Sequence, residues 1–258
     1  MRNILLVLRF DGTAYHGWQM QKNAPSVCGA VSGVLEGILG HRVSLLGCGR
    51  TDARVHAERY VANVRTEARI DADSLQRALK ARLPDDIVCL GAREAEERFH
   101  AIASCTRKEY VYRILTSPLR DPFRQNRAWH CARPLDIGAM TRAAGHMIGT
   151  RDFGAMRCTG TKLKSTVRTV YHYDVSKRGE LLELRVCADG FLYNMARVMA
   201  GTLVYAGEGR IAPEDIPSIL ESGDRTKAGP TAPPEGLYMT RLWYGEEEFG
   251  GGAGQDWE

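Results

Sequence analysis

Asn3-Ile4-Leu5-Leu6-Val7-Leu8-Arg9-Phe10, closed by Asp11-Gly12-Thr13, sets the reading of the fold. The run is apolar but for Asn3 and Arg9 and too short for a core helix, so it reads as a buried strand ended by a turn. Outward from it, Ser26 takes the N-cap position of a helix in which Val27, Val31, Val34, Leu35 and Ile38 recur at helical spacing. Val43–Leu46 read as a short strand running into Gly47–Gly49, and Tyr60–Thr66 as another. Asp71 or Asp73 caps a second helix with Leu75, Leu79 and Leu83 on one face, stopped by Pro84, and Ile87–Ala92 give a further strand.

The second half repeats this order. Glu109–Thr116 read as a strand, and a helix runs from Asp136 to about Ile148. Thr166–Val175 and Leu181–Ala188 read as a hairpin turning at Lys177-Arg178-Gly179. Leu192–Ala206 read as helix, Pro213–Leu220 as an extra helix, and Leu237–Tyr244 as a closing strand. Both halves spell β-α-β-β-α-β, the split ferredoxin-like order found in many RNA-binding domains. The expected class is therefore α+β. Residues 1–105 form one half and 106–244 the other, with residues 245–258 an acidic, Gly-rich tail that composition places among disordered segments. The strand around Lys108–Ile114 alternates Tyr110 and Tyr112 but lacks the Gly-aromatic pattern of an RNA-recognition module, which disfavours that simpler reading.

Composition narrows the function classes. The 258 residues carry 44% apolar and 26% charged side chains, ordinary for a globular protein. Only five apolar residues separate Asn3 from Arg9, too few for a signal peptide, and no run reaches the length of a membrane span; the expected location is the cytoplasm. Seven scattered cysteines without a C-x-x-C pair, and histidines without ligand spacing, point to no metal site. The tail carries five acidic residues and no Lys or Arg, so the net charge of +4 leaves +9 on the rest. That body holds 28 Arg against 7 Lys, and the planar guanidinium suits phosphates and stacked bases.

Chemistry gathers around Gly49-Arg50-Thr51-Asp52-Ala53-Arg54-Val55-His56-Ala57. In an extended segment Arg50 and Asp52 point to the same side, and a carboxylate with cationic neighbours stays ionised. Read alone, that points to half of a surface ion pair rather than to a nucleophile. The stretch resembles the G-R-T-D-A-G-V-H-A signature of the tRNA pseudouridine synthase A family. Five further blocks resemble the family in the same order. They are Phe10-Asp11-Gly12-Thr13-Ala14-Tyr15-His16-Gly17-Trp18-Gln19; Phe99-His100-Ala101 with Lys108-Glu109-Tyr110-Val111-Tyr112; Asp152-Phe153; Gly190-Phe191-Leu192-Tyr193-Asn194-Met195-Ala196-Arg197; and Lys227 to Leu237 around Thr231-Ala232-Pro233-Pro234. Single blocks are moderately specific; six in order are very specific.

The resemblance implies two halves whose sheets join into one extended, mainly antiparallel sheet, with helices on one side and an RNA cleft on the other. It implies isomerisation of uridine to pseudouridine at positions 38 to 40 of the tRNA anticodon stem-loop, without cofactor or metal, by a homodimer spanned by one tRNA. Asp52 is then the nucleophile, attacking either the ribose C1′ or the uracil C6. Arg50 fills the stack vacated by the flipped uridine, Tyr110 stacks on the uracil and relays a proton, Arg197 pairs with Asp52, and Leu237 lines the pocket under the base. Outside the blocks, Arg120, Arg124 and Arg127, with Lys162, Lys164 and Arg168, are candidate phosphate contacts. Arg54 departs from the pattern, standing where the family carries glycine. The reading favoured here is an ordinary backbone at that position, with Arg54 adding a phosphate contact. Ala196 replaces a valine at the cost only of packing volume. The alternatives are a related synthase acting on other uridines and a non-catalytic RNA-binding protein on the same scaffold.

Overall fold

The computed structural model describes residues 1–158, 160, 164–245 and the backbone of 247–249. Lys162 and most of the acidic tail lie outside the described residues. In chain order the elements are β1 (Arg2–Phe10), α1 (Val27–Leu39), β2 (Leu45–Gly47), β3 (His56–Thr66), α2 (Ala72–Arg82), β4 (Ile87–Ala95), β5 (Arg107–Leu115) and β6 (Trp129–His130). They continue with α3 (Ile137–His146), β7 (Gly149–Asp152), β8 (Val167–Arg178), β9 (Leu181–Ala188), α4 (Met195–Gly207), α5 (Ile216–Ser222), β10 (Leu237–Tyr244) and β11 (Glu247–Phe249). The class is α+β with mainly antiparallel strands. Two compact units divide the chain, residues 1–106 with 238–258 and residues 107–237.

In the first unit β1 lies between β4 and β3, antiparallel to both. Ile4 to Leu8 are buried on both faces, which is why this run carries no alternation. β2 pairs with the far half of β3, Leu45 opposite Val64. β10 runs parallel to the start of β3, pairing Tyr238 with His56 and Met239 with Ala57. Ser26 caps α1 as its sequence position requires: its Oγ accepts from Gly29 N at 3.1 Å. The helix stops at Gly40, whose φ of 76° closes it in the left-handed region. Between these ends Val27, Val31 and Leu35 are fully buried, each worth about 2 kcal/mol of apolar transfer. Asp71, rather than Asp73, caps α2, accepting from Ser74 N at 2.8 Å.

In the second unit the antiparallel order is β5-β9-β8-β7, with β6 added parallel to β5. The β8–β9 hairpin turns at Gly179-Glu180, two residues beyond the start of the expected turn, because β8 stays paired to Arg178 opposite Leu181. Strands β6 and β7 carry no sequence signal; each is a short segment held by its neighbour's register. α4 begins at Met195 and not Leu192, since Asn194 takes a left-handed φ of 59°, which a helix cannot contain. The extra helix divides into a 3-10 turn at Pro213–Asp215 and α5.

Candidate active site

In the first unit, Asp52 sits on a loop that two neighbouring segments brace. Tyr60, on β3, donates its hydroxyl to Gly49 O. Its ring stacks on Trp18 with centroids 4.2 Å apart, and Phe10 packs against both. Trp18 N donates to Thr51 O at 3.3 Å, and Arg54 N to Tyr15 O at 3.0 Å. Gly17, at φ 87°, comes so near that a Cβ there would lie 2.2 Å from Thr51 O and 3.0 Å from the Asp52 carbonyl carbon. Tyr15 is itself fixed, its hydroxyl donating to Asp86 Oδ1 at 2.7 Å. The Phe10–Gln19 block is therefore the cradle of the Gly49–Ala57 block, and glycine at 17 lets the two backbones meet.

The exposure of this loop follows its alternation. Thr51 is buried, Arg50 is exposed and Asp52 is half-buried. The carboxylate thus stands at a surface while its backbone is clamped from behind. After Asp52 the chain reverses: Val55 N donates to Asp52 O at 3.2 Å, and Arg54 has φ 66°. Positive φ at the third position of a four-residue turn is the type II pattern, which favours glycine. This corrects the expectation of an ordinary backbone at Arg54. The turn imposes the left-handed conformation, and arginine bears a strain of about 1–2 kcal/mol to occupy it. Its side chain is exposed.

In the second unit, Arg197 and the loop before β10 are interlocked. Arg197 Nε donates to Ala232 O at 2.8 Å, its Nη1 donates to Asn194 Oδ1 at 3.0 Å, and Ala232 N donates to Arg197 O at 3.1 Å. One turn further along α4, Thr202 Oγ1 accepts from Gly229 N at 3.0 Å. Gly201 approaches Pro230 so closely that a Cβ would lie 1.9 Å from its carbonyl oxygen. Arg225 ties the same loop from the other end, donating to Gly229 O at 2.7 Å and Thr231 Oγ1 at 3.2 Å. The half-buried Arg197 is held as a fork in one orientation.

Tyr110 is buried on β5, with its ring edge-on to Phe191 at 4.9 Å. Its neighbour Tyr112 donates to Pro233 O at 2.7 Å. Burial pushes the Tyr112 phenol well above its ordinary range; Glu235 adds to the rise and Arg197 opposes it. Arg197 thus acts electrostatically on Tyr112, which the sequence places in a motif block but does not single out as a site residue. Leu237, buried, follows the 3-10 turn Pro234–Gly236 and starts β10. Asp52, Arg50 and Arg54 belong to the first unit; Tyr110, Arg197 and Leu237 belong to the second.

Comparison with known proteins agrees with the motif blocks. A family model described as tRNA pseudouridine synthase matches residues 143–244. A tRNA pseudouridine synthase A from Thermoanaerobacter sp. is 45% identical over 95% of this chain and 100% of its own length. The chain belongs to the tRNA pseudouridine synthase A family. Relatives of the same description from Ruminiclostridium cellulolyticum, at 43% identity over 95% and 100% of the two chains, and from Pelobacter propionicus, at 42% over the same shares, agree. Among solved structures, one from a Cbf5-Nop10-Gar1 complex aligns at TM-score 0.36 and 15% identity, covering 94% of this chain and 50% of that one, a level that adds nothing to the assignment. As a member of the pseudouridine synthase family the chain is an isomerase.

The outlying basic residues of this synthase fall in two places. Arg120, Arg124 and Arg127 are exposed on the loop after β5. Lys164 is exposed, whereas Arg168 spends Nη1 on its own strand, donating to Val167 O at 2.6 Å and Ser165 O at 3.3 Å. Among the described residues no group of His, Cys, Asp and Glu could hold a metal ion, and no helix is long and apolar enough to cross a membrane. Cys158 differs from Cys28, Cys89 and Cys131, whose thiols burial pushes up. Burial alone would raise its pKa, but hydrogen bonds from Thr231, Asn194 and Arg225, with the Arg225 charge, bring it below the ordinary value.

Proposed function

We propose that this protein converts uridine to pseudouridine in the anticodon stem-loop of tRNA, at positions 38 to 40, with Asp52 as nucleophile. The observation that carries this reading is the clamped loop of the first unit. Its backbone is pinned at Gly49, Thr51 and Arg54, while the Asp52 carboxylate remains half-exposed beside an exposed Arg50. A nucleophile gains from such fixing, because a held geometry converts an encounter into an effectively unimolecular step.

The target uridine is stacked in a helix, so its glycosidic bond is reached only when the nucleotide is flipped out. Arg50 fills the vacated stack and meets a phosphate. Asp52 attacks the ribose C1′ or the uracil C6, and the N1–C1′ bond breaks. The uracil turns within the pocket, C5 bonds to C1′, and the C5 proton is passed on with N1 protonated. Every atom of the substrate is retained, so the net reaction consumes neither nucleotide nor reductant. Tyr110 stacks on the uracil and relays the proton; Arg197, oriented by Ala232 and Asn194, pairs with the Asp52 carboxylate. Leu237 lies under the base. The protein works in the cytoplasm as a homodimer, one tRNA spanning both copies.

The test is pseudouridine mapping on tRNA incubated with purified protein, alongside the Asp52→Asn variant. Modification confined to positions 38–40, lost in the variant with tRNA binding retained, is expected. Product at other uridines would reassign the substrate; a wild-type protein that binds tRNA without product would mark a non-catalytic RNA-binding protein; product from the variant would end the role of Asp52.

A further inference from the structure

The loop between β5 and β6 displays the two most exposed large apolar side chains among the described residues. Phe123 is 90% exposed and Leu119 77%. They are presented by a built loop. Ser117 Oγ accepts from Leu119 N at 3.4 Å, and His130 Nε2 lies 2.9 Å from Ser117 O at the base. Asp121 Oδ1 accepts from Phe123 N at 2.9 Å, which starts a 3-10 turn over Pro122–Arg124. Arg127 N donates to Arg124 O at 3.0 Å, and Asn126 turns the chain back with φ 59°. Phe123 therefore sits at the head of a turn whose bonds hold it in solvent.

Charge decides what covers it. Arg120, Arg124 and Arg127 flank Phe123 along the same loop and are exposed like it, and the one acid of the turn, Asp121, lies 3.3 Å from Arg124 Nε. A second copy of the same loop would bring like charges together. An anionic partner with flat apolar faces meets both demands, and RNA with an unstacked base is that chemistry: the base takes the ring, and the phosphates on either side take the guanidiniums.

We propose that residues 117–127 form an RNA-contact element in which Phe123 stacks on an unpaired base and Arg120, Arg124 and Arg127 hold flanking phosphates. The inference rests on the reading of the substrate as RNA but not on which uridine reacts. Binding of full-length protein to a tRNA transcript, measured across a salt series for the wild type, Phe123→Ala, Phe123→Trp and the triple Arg→Gln variant, tests it. Phe123→Ala is expected to weaken binding about 5- to 100-fold, the range one stacked base supplies, with an unchanged salt slope. Phe123→Trp restores affinity, and the triple variant flattens the slope by about two units. Wild-type affinity in Phe123→Ala would overturn the proposal. So would a change in sedimentation of Phe123→Ala without RNA, which would make the loop a contact between copies. If the wild type modifies tRNA and Phe123→Ala binds and modifies it equally, only this inference fails. If the wild type forms no pseudouridine yet Phe123→Ala weakens binding, only the proposed reaction fails.

Discussion

Arg197 and Ala232 hold each other by two hydrogen bonds of opposite sense. The alanine amide donates to the arginine carbonyl at 3.1 Å, and the arginine Nε donates to the alanine carbonyl at 2.8 Å. The first fixes the loop to the helix; the second fixes the guanidinium to the loop. An α4 that shifted would carry the loop, and with it the orientation of the charged fork.

That relationship makes Arg197→Lys a sharper test than Arg197→Ala. Lysine keeps the charge but has no Nε–H with which to meet Ala232 while two further nitrogens point elsewhere. The variant is expected to fold, at a cost of about 1–2 kcal/mol for the lost bonds, and to lose about 100-fold or more in kcat. Single-turnover rates together with a denaturant midpoint check this. Near-wild-type turnover would show that charge alone suffices.

At Arg54 the expected change is a gain. Arg54→Gly relieves a left-handed strain of about 1–2 kcal/mol, partly offset by about 0.5–1 kcal/mol from glycine's freedom in the unfolded chain. The net is a stabilisation of about 0.5–1 kcal/mol, seen as a Tm about 1–4 °C higher. If Arg54 also meets a phosphate, the salt slope of RNA binding falls by about one unit in the same variant. Calorimetry and binding titrations read the two effects separately.

Gly17→Ala moves in the opposite direction. Its methyl would lie 2.2 Å from Thr51 O and its φ of 87° disfavours any side chain, so the Asp52 loop must shift. The expected result is a loss of about 2–4 kcal/mol in stability and a kcat lower by about 100-fold, larger than the stability loss alone explains at a temperature where the variant is folded. Activity at 20 °C with folded fraction followed by circular dichroism decides the matter.

The thiols give a pH-dependent prediction. Alkylation at pH 8 is expected to strike Cys158 before Cys28, Cys89 and Cys131, as mass spectrometry of partly labelled protein would show. Burial pushes the Cys89 thiol up to about 12. An unfolded chain ionises this thiol near 8.5, so the folded state loses stability as pH rises from there toward 12. Cys89→Ala should abolish that share of the alkaline loss, whereas Cys158, whose pKa is lowered, works in the opposite sense and stabilises as pH rises.

The residues of the candidate site were legible in the sequence, but their supports were not. Asp52, Tyr110 and Arg197 stand inside motif blocks. Their braces, Tyr15, Trp18, Tyr60 and Ala232, lie in other blocks or outside any, and nothing in a linear pattern says which block packs on which. Tyr112 shows the same limit: the sequence gives its place in a block, and only the neighbouring Arg197 and Glu235 reveal that it shares their field.

What the sequence by itself determined was local. Ser26 caps its helix because its side-chain oxygen reaches an amide three residues on, and the apolar run of β1 is buried on both faces because nothing in it seeks water. Tertiary structure decided the rest. β10 lies parallel to β3 by pairing Tyr238 with His56, 182 residues apart, a choice no local propensity encodes. The turn at Arg54 is left-handed because Asp52 O and Val55 N close it and Tyr15 O holds its amide, so the fold overrode the residue's own preference.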